Sequence, residues 1–316
     1  MITILIVLTL GLAFANGAND ISKGIATLVG SGVTNFRSAV IWGSCWTVAG
    51  GLVAAIAAQS LVQTFNGSGV LKAVPTGYVF LSAVAVGAVA WVLFASVTGM
   101  PVSTTHAIIG ALCGAGIVAG GMDGVKWVAL RDKVALPLAV SPFVSLGLMW
   151  LLFPLLRLVA SRLGSLDRLH WLSAGATSFA RGLNDTPKVL ALGVAAAAAT
   201  GFSVGWFYVG VAVAMGVGSV VAGLRVTETL ARKVTPMNPT EGFAANLITA
   251  LLVGVASRLG LPVSTTHVSS SAILGIGLHH DWRQVRWKTV GEMLLAWVVT
   301  LPVAALLAAG AYAIFR

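Results

Sequence analysis

The chain has 316 residues, 58% of them hydrophobic and only 9% charged, with a formal net charge of +10. Soluble domains carry about 45 to 50% apolar and about 25% charged residues, so the composition excludes a soluble globular protein and points to an integral membrane protein. The positive charge does not mark a nucleic-acid binder, because most Lys and Arg residues stand in short connections between apolar runs, as loop anchors do.

In chain order, Met1 to Ala15 imitates a signal peptide but lacks the basic leading region. A related segment, Phe179-Ala-Arg-Gly, sits mid-chain where no signal peptidase acts, so the first apolar segment is expected to stay. Ile21 to Val33 is short and Gly-rich and reads as a half-helix or re-entrant hairpin. Ser38 to Leu71 and Ala73 to Met122 carry no charged residue, and the longest such runs hold two spans of roughly 20 residues. Cys45 and Cys113 lie in these runs without metal-ligand spacing and are expected to be buried thiols. Val102 to Gly120 reads as a second short segment, and Trp127 to Pro142 opens a closing helix. Val134 to Leu156, Val189 to Leu224, Gly242 to Ser257, Leu259 to His280 and Met293 to Phe315 are also free of charge, with Val263 to Leu278 a short segment and Trp287 to Pro302 a second closing helix. Trp127, Trp171, Trp282 and Trp287 adjoin charged connections and read as interfacial belt residues. The basic clusters, among them Lys126, Arg131 and Lys133 or Arg283, Arg286 and Lys288, do not alternate cleanly and assign no orientation.

Two motifs occur twice, in the same order. Phe14-Ala-Asn-Gly-Ala-Asn-Asp20, with Lys23, matches Phe179-Ala-Arg-Gly-Leu-Asn-Asp185, with Lys188; Pro-Val-Ser-Thr-Thr-His occupies Pro101 to His106 and Pro262 to His267. The chain is therefore a duplicated unit, read as a first transmembrane repeat at 1–160 and a second at 161–316, together one membrane domain. Strands of a barrel would alternate polar and apolar residues, which these do not. The expected fold is all-α and integral to the membrane: two inverted repeats with broken helices or re-entrant hairpins, about 10 to 12 membrane segments.

Pro101 lacks an amide hydrogen and Gly99 ends any helix arriving from Val86 to Val97, so a new helix restarts after the break with Ser103 as its N-cap. Ser103, Thr104 and Thr105, and in the second copy Ser264, Thr265 and Thr266, then add hydroxyls to the free N–H groups of a helix start at bilayer depth, which is a setting for an anion. The bland alternative is that these residues only cap two buried helices. Asp20 and Asp185 are the stronger clue, because a carboxylate inside a membrane must be paired or bound to a cation. Lys23 and Lys188 follow three residues later, on the same helical face, and permit ion pairs; the alternative places all four at the interface, reaching to water. Asn19 and Asn184 offer amide donors and acceptors suited to an oxyanion or a small cation. His106 and His267 are read as neutral imidazoles satisfied by neighbouring carbonyls, ahead of a role in proton or substrate binding.

The four motifs resemble those of the inorganic phosphate transporter (Pit) family, and the resemblance spans essentially the whole chain. It implies an inverted-repeat transporter that moves inorganic phosphate across the plasma (cell inner) membrane by cation-coupled symport, not an enzyme. By resemblance, Ser103, Thr104, Thr105, Ser264, Thr265, Thr266, Asn19, Asn184, Lys23 and Lys188 bind substrate, while Asp20 and Asp185 handle charge balance or the coupling ion. No cofactor and no fixed metal are expected; the coupling ion is a proton, or sodium held at Asp20 and Asp185 as in relatives. Phosphate and membrane lipid are the expected partners, nucleic acid is not, and a homodimer is left open. The family usually carries Asn where this chain has Lys23 and Lys188, and Arg181 stands at the second-repeat counterpart of Asn16, so two carboxylates face three cations. Lysine ammonium groups in place of one or more bound ions put sodium dependence in doubt and leave proton coupling or weakly coupled transport. Rival readings are a sulfate or other tetrahedral oxyanion permease, an anion channel, and, more remotely, an intramembrane hydrolase using Ser103 or Ser264 with a histidine.

Overall fold

The computed structural model describes residues 1–75, 77–162, 165–201 and 203–316, excepting the side chains of Ser161 and His280. Among the described residues the regular elements are helical, and the only extended pairing is an isolated antiparallel bridge between Leu71 and Val125. The first repeat runs α1 (Ile2–Asp20), α2 (Ser22–Gly30), α3 (Phe36–Ala57), α4 (Gln59–Phe65), α5 (Tyr78–Thr98) and α6 (Thr104–Gly120). It closes with α7 (Trp127–Leu130), which passes through a π-turn at Arg131–Ala135 into α8 (Leu136–Arg162). The second runs α9 (Leu166–Ala199), α10 (Val204–Ala222), α11 (Leu224–Arg232), α12 (Pro239–Arg258), α13 (Thr265–His280) and α14 (Trp287–Phe315). Seven stretches are long and apolar enough to cross a membrane: Ile2–Gly30, Phe36–Ala57, Tyr78–Thr98, Trp127–Ala160, Val204–Ala222, Pro239–Arg258 and Trp287–Phe315. The shorter α6 and α13 and the polar α9 pack among them. The expected 10 to 12 segments counted such interior pieces as well.

Both helix breaks fall where the sequence puts them. Gly99 (φ 75°) and Gly260 (φ 70°) take the left-handed conformation that only glycine adopts at little cost. Each is followed by an amide that reaches back over the helix end: Met100 N–H donates to Ala95 O at 2.8 Å and Leu261 N–H to Ala256 O at 2.9 Å. This reach-back arrangement satisfies carbonyls that a helix end leaves free. Ser103 and Ser264 are extended (φ −98°, ψ 112° and φ −94°, ψ 111°) and cap the new helices, each Oγ accepting from the backbone N–H of the histidine three residues on at 3.2 Å.

The two repeats exchange partners. Helix α3 packs on α9 while its counterpart α10 packs on α1, and α6 packs on α14 while its counterpart α13 packs on α8. Glycine makes the first exchange close: a methyl at Gly17 would overlap the Met215 carbonyl of α10, and one at Gly182 would overlap the Thr47 carbonyl of α3. Small residues at such crossings let backbones touch where apolar lipid supplies no hydrophobic drive.

Some expectations need correction. Cys113 is buried but Cys45 is exposed; α3 is apolar on all sides, so its thiol can face lipid without cost. Trp127, Trp282 and Trp287 are exposed as belt residues should be, whereas Trp171 stands edge-on to Trp42 and accepts from its indole N–H at 2.9 Å. The two Asn-Asp segments also differ: α1 ends at Asp20 and a new helix starts at Ser22, while α9 runs on through Pro187.

Candidate functional site

Asp20 and Asp185 lie deep in the protein, 1% and 2% exposed, together with Lys23 and Lys188 at 1% each. The interfacial alternative for these four residues is thereby excluded. Each carboxylate divides its oxygens in the same way. Oδ1 meets the lysine three residues on, at 2.8 Å for Asp20 and Lys23 and 3.3 Å for Asp185 and Lys188. Oδ2 faces the centre: that of Asp20 is 3.0 Å from Asn16 Nδ2 and 3.4 Å from Thr104 Oγ1, and that of Asp185 is 3.3 Å from Asn16 Nδ2 and 3.4 Å from Thr265 Oγ1. One amide and two threonine hydroxyls thus join carboxylates from opposite repeats.

The helix starts interlock across the same centre. Thr105 donates to Val263 O at 3.4 Å and Thr266 donates to Val102 O at 2.7 Å, counterpart residues in each direction. Asn19 Nδ2 donates to Ser96 Oγ at 3.2 Å and Met100 O at 3.0 Å, while its Oδ1 accepts from Val102 N–H at 3.1 Å; Asn184 Nδ2 donates to Val263 O at 3.2 Å. The asparagines therefore pin the unwound segments between helices.

The structure brings all twelve sequence-selected residues to this region but gives them different tasks. Thr104 and Thr265 point at carboxylates. Thr105 and Thr266 spend their protons on carbonyls, and Thr105 also accepts from Lys188 Nζ at 2.7 Å. Ser103 and Ser264 accept from helix N–H groups, which leaves each hydroxyl proton for another acceptor. Among the described residues neither serine hydroxyl is hydrogen-bonded to an imidazole nitrogen, so the geometry gives no serine–imidazole dyad. The rings of His106 and His267 instead face each other with centroids 4.6 Å apart. His267 Nδ1 stands 3.3 Å from Leu138 O, a neighbouring carbonyl of the kind expected, while His106 Nδ1 has no partner among the described residues.

Each lysine ammonium sits in a small cage of oxygens. Lys23 Nζ donates to Asp20 Oδ1 at 2.8 Å, Asn19 Oδ1 at 2.8 Å and Asn19 O at 2.9 Å; Lys188 Nζ meets Thr105 Oγ1, Asp185 Oδ1 and Val263 O at 2.7, 3.3 and 2.9 Å. Carboxylate, amide and carbonyl oxygens are the donors a hard cation takes. Among the described residues no group of three or more His, Cys, Asp or Glu is placed to hold a metal ion.

Sequence reading did not select Asn16 as a site residue and used Arg181 only in a charge count. The signal was present: both stand four residues before an aspartate, one helical turn away on the same face. Arg181 is fully buried.

A two-repeat helical membrane protein whose broken helices and carboxylates meet at a buried centre has the form of a transporter. The model described as the phosphate transporter family matches residues 16–164 and 159–308. A probable low-affinity inorganic phosphate transporter of Bacillus subtilis is 32% identical, covering 100% of this chain and 98% of its own length. One with the same description from Rhizobium meliloti is also 32% identical, covering 98% and 94%. A solved structure titled the sodium-dependent phosphate transporter superposes with a TM-score of 0.87 at 24% identity, covering 99% of this chain and 98% of that one. The chain belongs to the phosphate transporter family; it is a multi-pass membrane transport protein and not an enzyme.

Proposed function

We propose that the protein is a proton-coupled symporter of inorganic phosphate in the plasma membrane, its two repeats, 1–160 and 161–316, acting as one transport unit of inverted symmetry. The observation that carries this reading is the paired centre: two carboxylate Oδ2 atoms, two threonine hydroxyls and one amide converge from both repeats. Ser103 and Ser264 supply hydroxyl donors, and Thr104 and Thr265 can turn theirs from carboxylate to substrate oxygens. The starts of α6 and α13 add free N–H groups and the positive end of the helix dipole.

Phosphate rather than sulfate suits this donor and acceptor mixture. A protonated phosphate donates as well as accepts, so it can bond to Asp20 or Asp185 Oδ2, and Asn16 Oδ1 and Asn184 Oδ1 are two further buried acceptors without a partner among the described residues. Sulfate at neutral pH has no proton to give. Proton coupling follows from the lysines: their ammonium groups take the oxygen cages that a sodium ion would need, and they are tethered to the chain. Both transport and substrate are tested by uptake of labelled phosphate into proteoliposomes of the purified protein, competed by sulfate. Accumulation above equilibrium, with little inhibition by sulfate, is expected; equal competition would make this a general oxyanion permease, and equilibration without accumulation would make it a channel.

A further inference from the structure

We infer that Arg181 is a direct ligand of the transported oxyanion and the sole source of the net positive charge at the buried centre. The inference rests on the phosphate reading and extends it to a residue with no assigned role. Arg181 lies on α9, one turn before Asp185, fully buried, and is the largest of the fully buried side chains. Its Nε, Nη1 and Nη2 have no hydrogen-bond partner among the described residues. A guanidinium carries five N–H donors in a rigid fork, and buried polar groups are nearly always bonded, so such a group needs a ligand that brings its own oxygens.

The carboxylates nearby do not hydrogen-bond to it among the described residues. Arg181 feels the charge of both Asp20 and Asp185, yet their Oδ1 atoms are taken by Lys23 and Lys188, and their Oδ2 atoms by Asn16, Thr104 and Thr265. Two cations are thus matched one to one with two anions, and the third is left over. Its fork fits two oxygens of a tetrahedral oxyanion side by side. The arithmetic of charge then limits the cargo. A centre of net charge +1 is neutralised by the phosphate monoanion alone, whereas the dianion needs one further monovalent cation, which a proton supplies.

The first repeat shows what a neutral residue does at this position. Asn16, the counterpart of Arg181, donates to carboxylates at 3.0 and 3.3 Å, so an asparagine at 181 has a precedent for fitting. The test compares wild type, R181N and R181K in proteoliposomes loaded from monodisperse protein, measuring KM and Vmax for labelled phosphate and the rise in melting temperature that phosphate induces. Losing one charge-assisted hydrogen bond corresponds to roughly tenfold or more in affinity. R181N is therefore expected to raise KM by at least about tenfold and to lose the phosphate-induced melting shift. R181K, which keeps charge but loses the fork, is expected to raise KM by about threefold or more. A purely structural role would lower Vmax and the melting temperature at unchanged KM. An unchanged KM in either variant overturns the assignment, and R181K decides it if R181N does not fold. Wild-type vesicles that take up no phosphate would instead refute the transport reading, and this inference with it.

Discussion

Asn16 Nδ2 lies 3.3 Å from Asp185 Oδ2, a contact between side chains 169 residues apart that ties the two repeats together at their carboxylates. The same nitrogen is 3.0 Å from Asp20 Oδ2 and 3.0 Å from Thr104 Oγ1. An amide nitrogen has two hydrogens, so it cannot serve three acceptors at once. When its hydrogens go to Thr104 Oγ1 and Asp185 Oδ2, the Thr104 hydroxyl, 3.4 Å from Asp20 Oδ2, covers the remaining oxygen, so Asn16 and Thr104 form one donor chain between the two aspartates.

Asp20→Asn and Asp185→Asn should each reduce phosphate uptake at least about tenfold, because each removes an acceptor for phosphate and leaves a lysine without its counter-ion. Breaking one side of a buried ion pair costs about 3 to 5 kcal/mol, so lower melting temperatures are expected too. Uptake near the wild-type rate in both variants would remove these carboxylates from the mechanism.

Threonines that look equivalent in the sequence should behave differently. Thr104→Val and Thr265→Val remove hydroxyls that face carboxylates, and each is expected to raise the KM for phosphate several-fold with little change in stability. Thr266→Val removes the 2.7 Å bond to Val102 O, leaving a buried carbonyl short of a donor at a cost of about 1 to 3 kcal/mol. Its main effect should be on melting temperature. Equal effects of all three on KM would show that position along the motif does not set the role.

Much of this centre was legible because it is local. The i, i+3 spacing of Asp20 with Lys23 and Asp185 with Lys188, the serine caps and the glycine breaks are short-range features, and each appears where the spacing puts it. Contacts between repeats were not legible. Nothing in the sequence tells that Lys188 crosses to Thr105 of the first repeat while its counterpart Lys23 stays with Asn19 and Asp20. The exposure of Cys45 was equally hidden, since a helix apolar all round gives no sign of which face meets lipid.

Close helix crossings give a prediction independent of transport. Gly17→Ala places a methyl against the Met215 carbonyl and should destabilise the protein by about 1 to 3 kcal/mol or more. Gly11→Ala, on the same helix, meets nothing within 4 Å and should be neutral, or stabilising by up to about 1 kcal/mol. Thermal unfolding in detergent checks both; similar melting temperatures for the two variants would contradict the packing of α1 on α10.

Lysine cages should become sodium sites when the ammonium is removed. In Lys23→Asn and Lys188→Asn the oxygens of Asp20 and Asn19, or of Asp185, Thr105 and Val263, lose their internal cation. Sodium is then expected to raise the melting temperature of each variant in a saturable way, as any ligand that binds only the folded state does, and to leave wild type unaffected. Variants that fold and ignore sodium would show that the cages do not hold a cation.

The most direct test of proton coupling is labelled phosphate uptake into proteoliposomes given an inward proton gradient with no sodium present, compared with an inward sodium gradient at equal pH on both sides. With Lys23 and Lys188 filling the cation positions, accumulation should follow the proton gradient and be unchanged by sodium. A strong, saturable sodium requirement, with no accumulation under the proton gradient alone, would contradict it.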